Sequence, residues 1–254
     1  MDTSLHQTSV NLDGLLEVLG KNLYSTPSVA LRELVQNAHD ACERHRMESD
    51  APRDYAIHIT SNPQEATLTI EDNGSGLTRE EVVEFLATVG SGYSRLLRQE
   101  TGTEQVIGMF GLGFLSAYVV SERVEVETTS YKEPGKGWKF SSRRGKTYTV
   151  SPVPPRDEGS RVSLHLAQGF ESLSRHDVLV SLLARYCCLL PITITVNGSD
   201  LPSSAQTVPW LMEADTSPIQ RRRREIAFAE TFEQGFEPIA TIALPEGNDL
   251  GLKG

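Results

Sequence analysis

Three short segments carry residue types that could do chemistry together. In the first, Glu33, Asn37 and Asp40 are spaced as E-x-x-x-N-A-x-D-A, closing on Ala41. At about 100° per residue the three polar side chains fall within about 60° of one another on a helix. An amide and two carboxylates on one strip can hold a hard cation and activate a water, because Mg2+ takes oxygen ligands and keeps several of its own waters. In the second, a strand-like run reaches Asp72 and continues as D-x-G-x-G through Gly74 and Gly76. Those glycines admit backbone angles that other residues resist and let a ligand come close. In the third, Gly108, Gly111 and Gly113 are spaced as G-x-x-G-x-G and lead through Phe114 into an apolar run. Free N–H groups where such a run becomes helical suit phosphate oxygens.

Each segment alone has a plainer explanation: a solvated helix face, an Asp-Asn-Gly turn, a loop packed close against a helix. The three in this order are what a nucleotide site without a P-loop requires. Two better-known loops are excluded. The third segment is not the dinucleotide pattern G-x-G-x-x-G and follows no apolar strand, and although Gly145, Lys146 and Thr147 end like a P-loop, Phe140 stands where its first glycine belongs. After Asp72 the ladder of calcium ligands of an EF-hand is missing.

The elements that must position these residues follow from periodicity. Residues 12–23 and 29–47 carry helical apolar spacing. In the second of these, Leu31, Leu34, Val35, Ala38, Ala41 and Cys42 form an apolar arc. Arg32, Gln36, His39 and Glu43 form a fully polar one, so the Glu33 strip lies between core and solvent. Residues 56–60 and 66–71 alternate as strands around the turn at Asn62 and Pro63. Residues 78–89 read as a helix with Thr78 and Glu81 as a capping box. Residues 114–120 read as helix and 122–129 as strand, followed by short strands at 138–140, 147–150 and 161–166. A helix at 176–190, stopped by Pro191, and a strand at 192–196 complete the series. Helices come first and strands and helices are then mixed, so the expected class is α+β, a two-layer sandwich and not a doubly wound parallel sheet. Residues 197–225 are rich in Ser, Pro and charge and mark a boundary, and 237–244 resemble one strand of a further unit.

Composition narrows the setting. The 254 residues are 38% hydrophobic and 23% charged, which excludes disorder and leaves room for one large domain or one domain plus part of a second. No apolar run approaches the ~20 residues of a membrane span, and no secretory signal opens the chain, so no membrane partner is expected. Three cysteines, two of them adjacent, read as buried thiols in a reducing compartment, hence the cytoplasm. A net charge of −10 argues against a nucleic-acid partner.

With these residues in place the chain resembles the GHKL ATPases, the superfamily of gyrase, heat-shock chaperone, histidine kinase and mismatch-repair ATPases. Within it the chain is most similar to the heat shock protein 90 family of bacterial type. Supporting residues are Asn22 to Ser25, Leu31 to Leu34, Ile107 to Phe114 and Gly159 to Leu166, and the likeness runs over about residues 5–200. The resemblance implies a Bergerat-type sandwich with helices over a mixed, mostly antiparallel sheet. It also implies ATP or ADP bound with Mg2+ under a lid at residues 91–108. Glu33 would be the general base for the attacking water and Asn37 the Mg2+ ligand. Asp72 would accept the adenine amino hydrogen, Asp40 and Ser160 would support it through water, and Ala41 and Gly76 would border the base. Gly108, Gly111, Gly113 and Phe114 would meet the phosphates. The implied whole protein is a homodimeric, stress-response chaperone that hydrolyses ATP while assisting unfolded or partly folded clients. The implied division is an ATP-binding domain over 1–200, a linker over 201–236 holding a solvated Arg221–Arg224 run, and the start of a middle domain over 237–254. On that division this chain alone would be monomeric and weak in turnover. A nucleotide-gated interaction module and a DNA-repair-type GHKL ATPase are the alternatives. Departures from the family pattern are Gln36 beside Asn37, the lack of a Lys near residues 88–93, and a lid shorter than in well-known members.

Overall fold

A computed structural model describes residues 27–51, 53–87, 113–201 and 217–232. Helix α1 (Pro27–Glu48) opens the described chain. Strands β1 (Ala56–Asn62) and β2 (Thr67–Asp72) follow as an antiparallel hairpin. Helix α2 (Arg79–Leu86) starts on the expected capping box: the Thr78 N–H donates to Glu81 Oε2 at 2.9 Å and the Glu81 N–H to Thr78 Oγ1 at 3.3 Å. The short helix α3 (Leu115–Val120) runs directly into β3 (Ser121–Thr129). Then come β4 (Gly137–Arg143), β5 (Thr147–Val153), β6 (Gly159–Leu166), α4 (His176–Tyr186), β7 (Thr193–Val196), β8 (Ser199–Asp200) and α5 (Pro218–Phe232).

The strands form one eight-stranded sheet in the order β5-β4-β3-β6-β2-β1-β7-β8. Every pairing is antiparallel except β1 with β7. The mixed, mostly antiparallel α+β sheet is therefore as expected. Period-two alternation sends Leu68, Ile70 and Asp72 of β2 to the helix-covered side and leaves Thr67, Thr69 and Glu71 on the other. There Leu68 and Ile70 meet Val124, Val126 and Leu164, and α1 presses Ala30, Leu31, Leu34, Val35, Ala38 and Cys42 onto the same core.

Several boundaries differ from expectation for identifiable reasons. Helix α4 ends at Tyr186, not at Pro191, because the chain turns at once to bury Cys187, Cys188 and Leu190. Strand β5 runs on through Pro152, which an edge strand tolerates because the missing N–H faces no partner. The Gly145 decoy is the β4–β5 turn, with Arg144 and Gly145 at positive φ. A helix stands inside the segment read as a linker, and the Arg221–Arg224 run is exposed on it. The expected helix at 12–23, the lid at 91–108 and the strand at 237–244 lie outside the described residues.

Candidate functional site

Helix α1 places the three polar residues on one strip at different depths. Asn37 is exposed, Glu33 half-buried and Asp40 buried. The Arg32 guanidinium donates to Glu33 Oε1 at 2.9 Å, and among the described residues Oε2 takes no hydrogen bond. That oxygen faces the third segment: a Cβ placed on Gly113 would lie 2.9 Å from Glu33 Oε2 and 3.7 Å from both side-chain atoms of the Asn37 amide. A methyl there would press on the end of the Glu33 side chain and push its carboxylate aside, and the chain bends from Gly113 into α3, with the Ser116 N–H donating to Gly113 O at 3.1 Å.

One polar arc of α1 departs from expectation. His39 and Glu43 were expected to face solvent, yet they are 3% and 5% exposed. Pairing offsets the cost of burying Glu43: it bonds Arg46, and the His39 ring lies 3.7 Å from its Oε1 and 3.5 Å from Asp40 Oδ1.

The second segment docks on the same helix eight residues further along. The Ser75 N–H donates to Ala41 O at 2.9 Å. A Cβ on Gly74 would fall 2.5 Å from the Ala41 carbonyl carbon, so only glycine permits this approach. Gly76, at φ +57°, lies against Thr129, where a Cβ would come within 2.0 Å of the carbonyl oxygen. Asp72, at the end of β2, is 6% exposed. Burial pushes its carboxyl up to about 7, against the N–H groups of Gly74 and Ser160, which donate to the carboxylate and pull it down. Ser160 faces Asp72 in the β2–β6 register and Thr128 in the β3–β6 register. Its hydroxyl bonds Thr128 Oγ1 at 2.9 Å, and Thr128 Oγ1 also receives the Leu77 N–H at 2.9 Å.

Glu33, Asn37 and Gly113 thus converge at one end of the α1 strip, and Ala41, Asp72, Gly76 and Ser160 gather around the loop docked at the other. Phe114 caps α3 and turns its ring edge-on to Tyr118 and Phe140, into the core. Gly108 and Gly111 lie outside the described residues. Thr128 and Arg32 were not singled out from the sequence. Thr128 could have been found as a hydroxyl on the inward parity of β3, whereas the Arg32 contact with Glu33 has no signal in spacing. Among the described residues no group of three or more His, Cys, Asp or Glu could hold a metal. Asn37 is exposed and supplies one amide oxygen, so a hard cation there would depend on oxygens brought by the ligand. Among the described residues no helix is long and apolar enough to cross a membrane.

Comparison with known proteins points the same way. Residues 24–154 match the family described as histidine kinase-, DNA gyrase B-, and HSP90-like ATPase. The chain is 32% identical over 246 residues to chaperone protein HtpG of Halorhodospira halophila, covering 89% of this chain and 39% of that protein. It is 33% identical over 206 residues to HtpG of Paramagnetospirillum magneticum, covering 76% and 33%. With HtpG of Escherichia coli it shares 26% identity over 239 residues, covering 89% and 38%. The chain therefore spans under two fifths of the length of these relatives.

Proposed function

The chain belongs to the histidine kinase-, DNA gyrase B-, and HSP90-like ATPase family, and from that premise we propose that it is the Mg2+-dependent, ATP-hydrolysing domain of a chaperone. The observation that carries this most is Gly113 resting on Glu33 and Asn37 while Gly74 rests on Ala41 of the same helix. Eight residues of helix separate the two contacts, about 12 Å at 1.5 Å per residue. A ligand with a base at one end and a polyphosphate at the other spans that distance.

In this account Asp72 accepts the adenine amino hydrogen, Ser160 and Asp40 hold the surrounding waters, and Ala41 and Gly76 leave room for the ring. Gly108, Gly111, Gly113 and Phe114 offer backbone N–H groups to the phosphates. Asn37 would hold the Mg2+ through its amide oxygen, and the ion would neutralise charge on the phosphate oxygens. Glu33 takes the proton of the attacking water through Oε2, while Arg32 anchors Oε1. Water oxygen bonds to the γ-phosphorus as the bond to the ADP oxygen breaks.

By its likeness to the HtpG chaperones, the whole protein would be a cytoplasmic homodimer acting on unfolded or partly folded clients. The division into a domain over 1–200, a linker and a further domain belongs to the same proposal. Steady-state ATP turnover of the full-length protein, with and without an unfolded client, tests it. Turnover that responds to client supports the chaperone. Glu33→Ala should keep nucleotide binding and lose turnover by about 10²–10⁴-fold, and an unaltered rate in that variant would place the base elsewhere.

A further inference from the structure

Arg53, in the connection from α1 to β1, ties three segments together through one guanidinium. Its Nη1 donates to the Asn73 carbonyl at 3.2 Å. Its Nη2 donates to the His45 ring of α1 at 2.8 Å and also pairs with Glu158, in the connection from β5 to β6. Two of these contacts adjoin the residues assigned to the adenine. Asn73 follows Asp72, and its side chain is braced in turn, donating to Asp54 O at 2.8 Å and accepting the Ala56 N–H at 2.9 Å. Glu158 stands just before Gly159 and Ser160. Gly159, at φ +128°, lies so close to Asp72 that a Cβ would come within 2.1 Å of its carbonyl oxygen. Arg53 thus joins the strand ends that carry Asp72 and Ser160 to α1.

His45 is fully buried and sets the state of this joint. An arginine can only donate, so the ring accepts at Nε2 and carries its proton on Nδ1, which donates to the Tyr55 oxygen at 2.8 Å. Arg53 and Tyr55 face the ring from the connection into β1. Glu158 faces it from the β5–β6 connection, with its carboxylate 3.6 Å from Nε2, and the Tyr131 ring lies edge-on from the turn after β3, with centroids 5.2 Å apart. Burial and then the Arg53 cation hold the ring below the usual imidazole range, against the pull of Glu158. A proton on Nε2 would turn that atom from acceptor to donor. It would set two cations face to face and direct Nε2 to the Glu158 carboxylate, while Nδ1 keeps Tyr55.

We propose that Arg53 is a positioning residue for the adenine end of the site and that His45 makes its hold proton-sensitive: the joint is closed while the ring is neutral, and a proton on the ring releases Arg53 and loosens the loop after Asp72. The inference rests on the nucleotide reading only for what that loop binds; the joint itself is read without a ligand. A closed joint resists the proton that an open one takes at the ordinary imidazole pKa of about 6.5. The open form should therefore gain on the closed one by up to about tenfold per pH unit below that value, until the pH passes the lowered pKa of the closed ring.

The test is an NMR pH titration of the nucleotide-free chain, with amide exchange followed at Ser75, whose N–H is held by Ala41 O at 2.9 Å. The His45 ring should titrate below about pH 6.5, the Asn73 and Gly74 amides should shift with the same midpoint, and Ser75 protection should fall relative to amides in the middle of β3. Asp72 titrates beside the same loop, so the decisive comparison is with His45→Gln, which keeps an acceptor for Arg53 and takes no proton. Ser75 protection should fall less in that variant, and its gap from the unaltered chain should widen towards about tenfold per pH unit. Arg53→Gln removes the cation and should raise the His45 pKa. If a variant does not fold, the shared midpoint in the unaltered chain decides. Equal pH courses in the unaltered chain and His45→Gln, a His45 pKa unmoved by Arg53→Gln, or a His45 midpoint absent from the loop amides overturns the joint. Adenosine titration of the unaltered chain and His45→Gln over the same pH range reads the positioning. Affinity should fall more steeply in the unaltered chain, and parallel courses overturn the positioning role. Failure of both proteins to bind adenosine at any pH counts against the nucleotide reading, while the exchange result still decides the joint.

Discussion

At the scale of single residues, Asp72 has the sharpest consequence. Folding buries its carboxyl and raises it from 3.8 to about 7, so the folded chain holds a proton that the unfolded chain releases. The sign follows: this contribution to stability is present below about pH 4, declines as pH rises, and is lost by about pH 7, a difference of up to about 4 kcal/mol. Adenine needs the ionised carboxylate as acceptor, so binding expels the proton. Adenosine affinity, which avoids phosphate titration, should therefore fall below about pH 7 towards tenfold per pH unit. Calorimetry in buffers of differing ionisation heat should show proton release, and a flat profile would mean that Asp72 does not bind the base in ionised form. The placement of these residues was legible because it depends on residue types with few substitutes: a carboxylate at a strand end, and glycines where a side chain would collide. Thr128 was not legible, since its hydroxyl matters only through cross-strand register with Ser160. His39 and Glu43 were misplaced because helical spacing shows which residues are polar, not what covers them.

At the scale of elements, local signals served well where the physics is local. The Thr78–Glu81 box started a helix where it should, and alternation found the strands of the central sheet. The parallel β1–β7 pair joins segments about 135 residues apart, and its pairing has no local signature. Helix α5 escaped because its exposed faces are polar and its core signal is weak, although Pro218 at its first position and Ser217 just before it are ordinary start signals. The D-x-G-x-G loop offers a clean test of tertiary constraint. Gly76→Ala sets a methyl against the Thr129 carbonyl at a left-handed φ of +57°. It should cost at least about 2 kcal/mol and lower Tm by at least about 4 °C. Gly198→Ala, also at positive φ but with nothing within 4 Å, should cost about 1–2 kcal/mol from the backbone alone. Thermal unfolding of the two variants side by side checks this, and equal losses would remove the close approach from the account.

At the scale of the whole molecule, binding and turnover should separate. The cation beside the proposed base is Arg32, and it is engaged with Glu33 itself. The Arg221–Arg224 run is exposed on α5. An arginine that stabilises the transferring phosphoryl group can be worth about 10³–10⁵ in rate, and none of the described residues offers one that is placed for it. We therefore expect this chain alone to be a monomer by light scattering, to gain thermal stability with nucleotide, and to hydrolyse ATP near background. Robust turnover that is lost on changing Arg221–Arg224 would show a local catalytic cation. The central claim, that the polar strip of α1 and the Asp72 loop together hold an adenine nucleotide, is tested most directly by calorimetric titration of MgATP into the unaltered chain and into Asp72→Asn. The account predicts saturable one-to-one binding to the first and a loss of about tenfold to more than a hundredfold in the second, the cost of a buried charged acceptor. Equal affinities in the two proteins, with both folded, would contradict it.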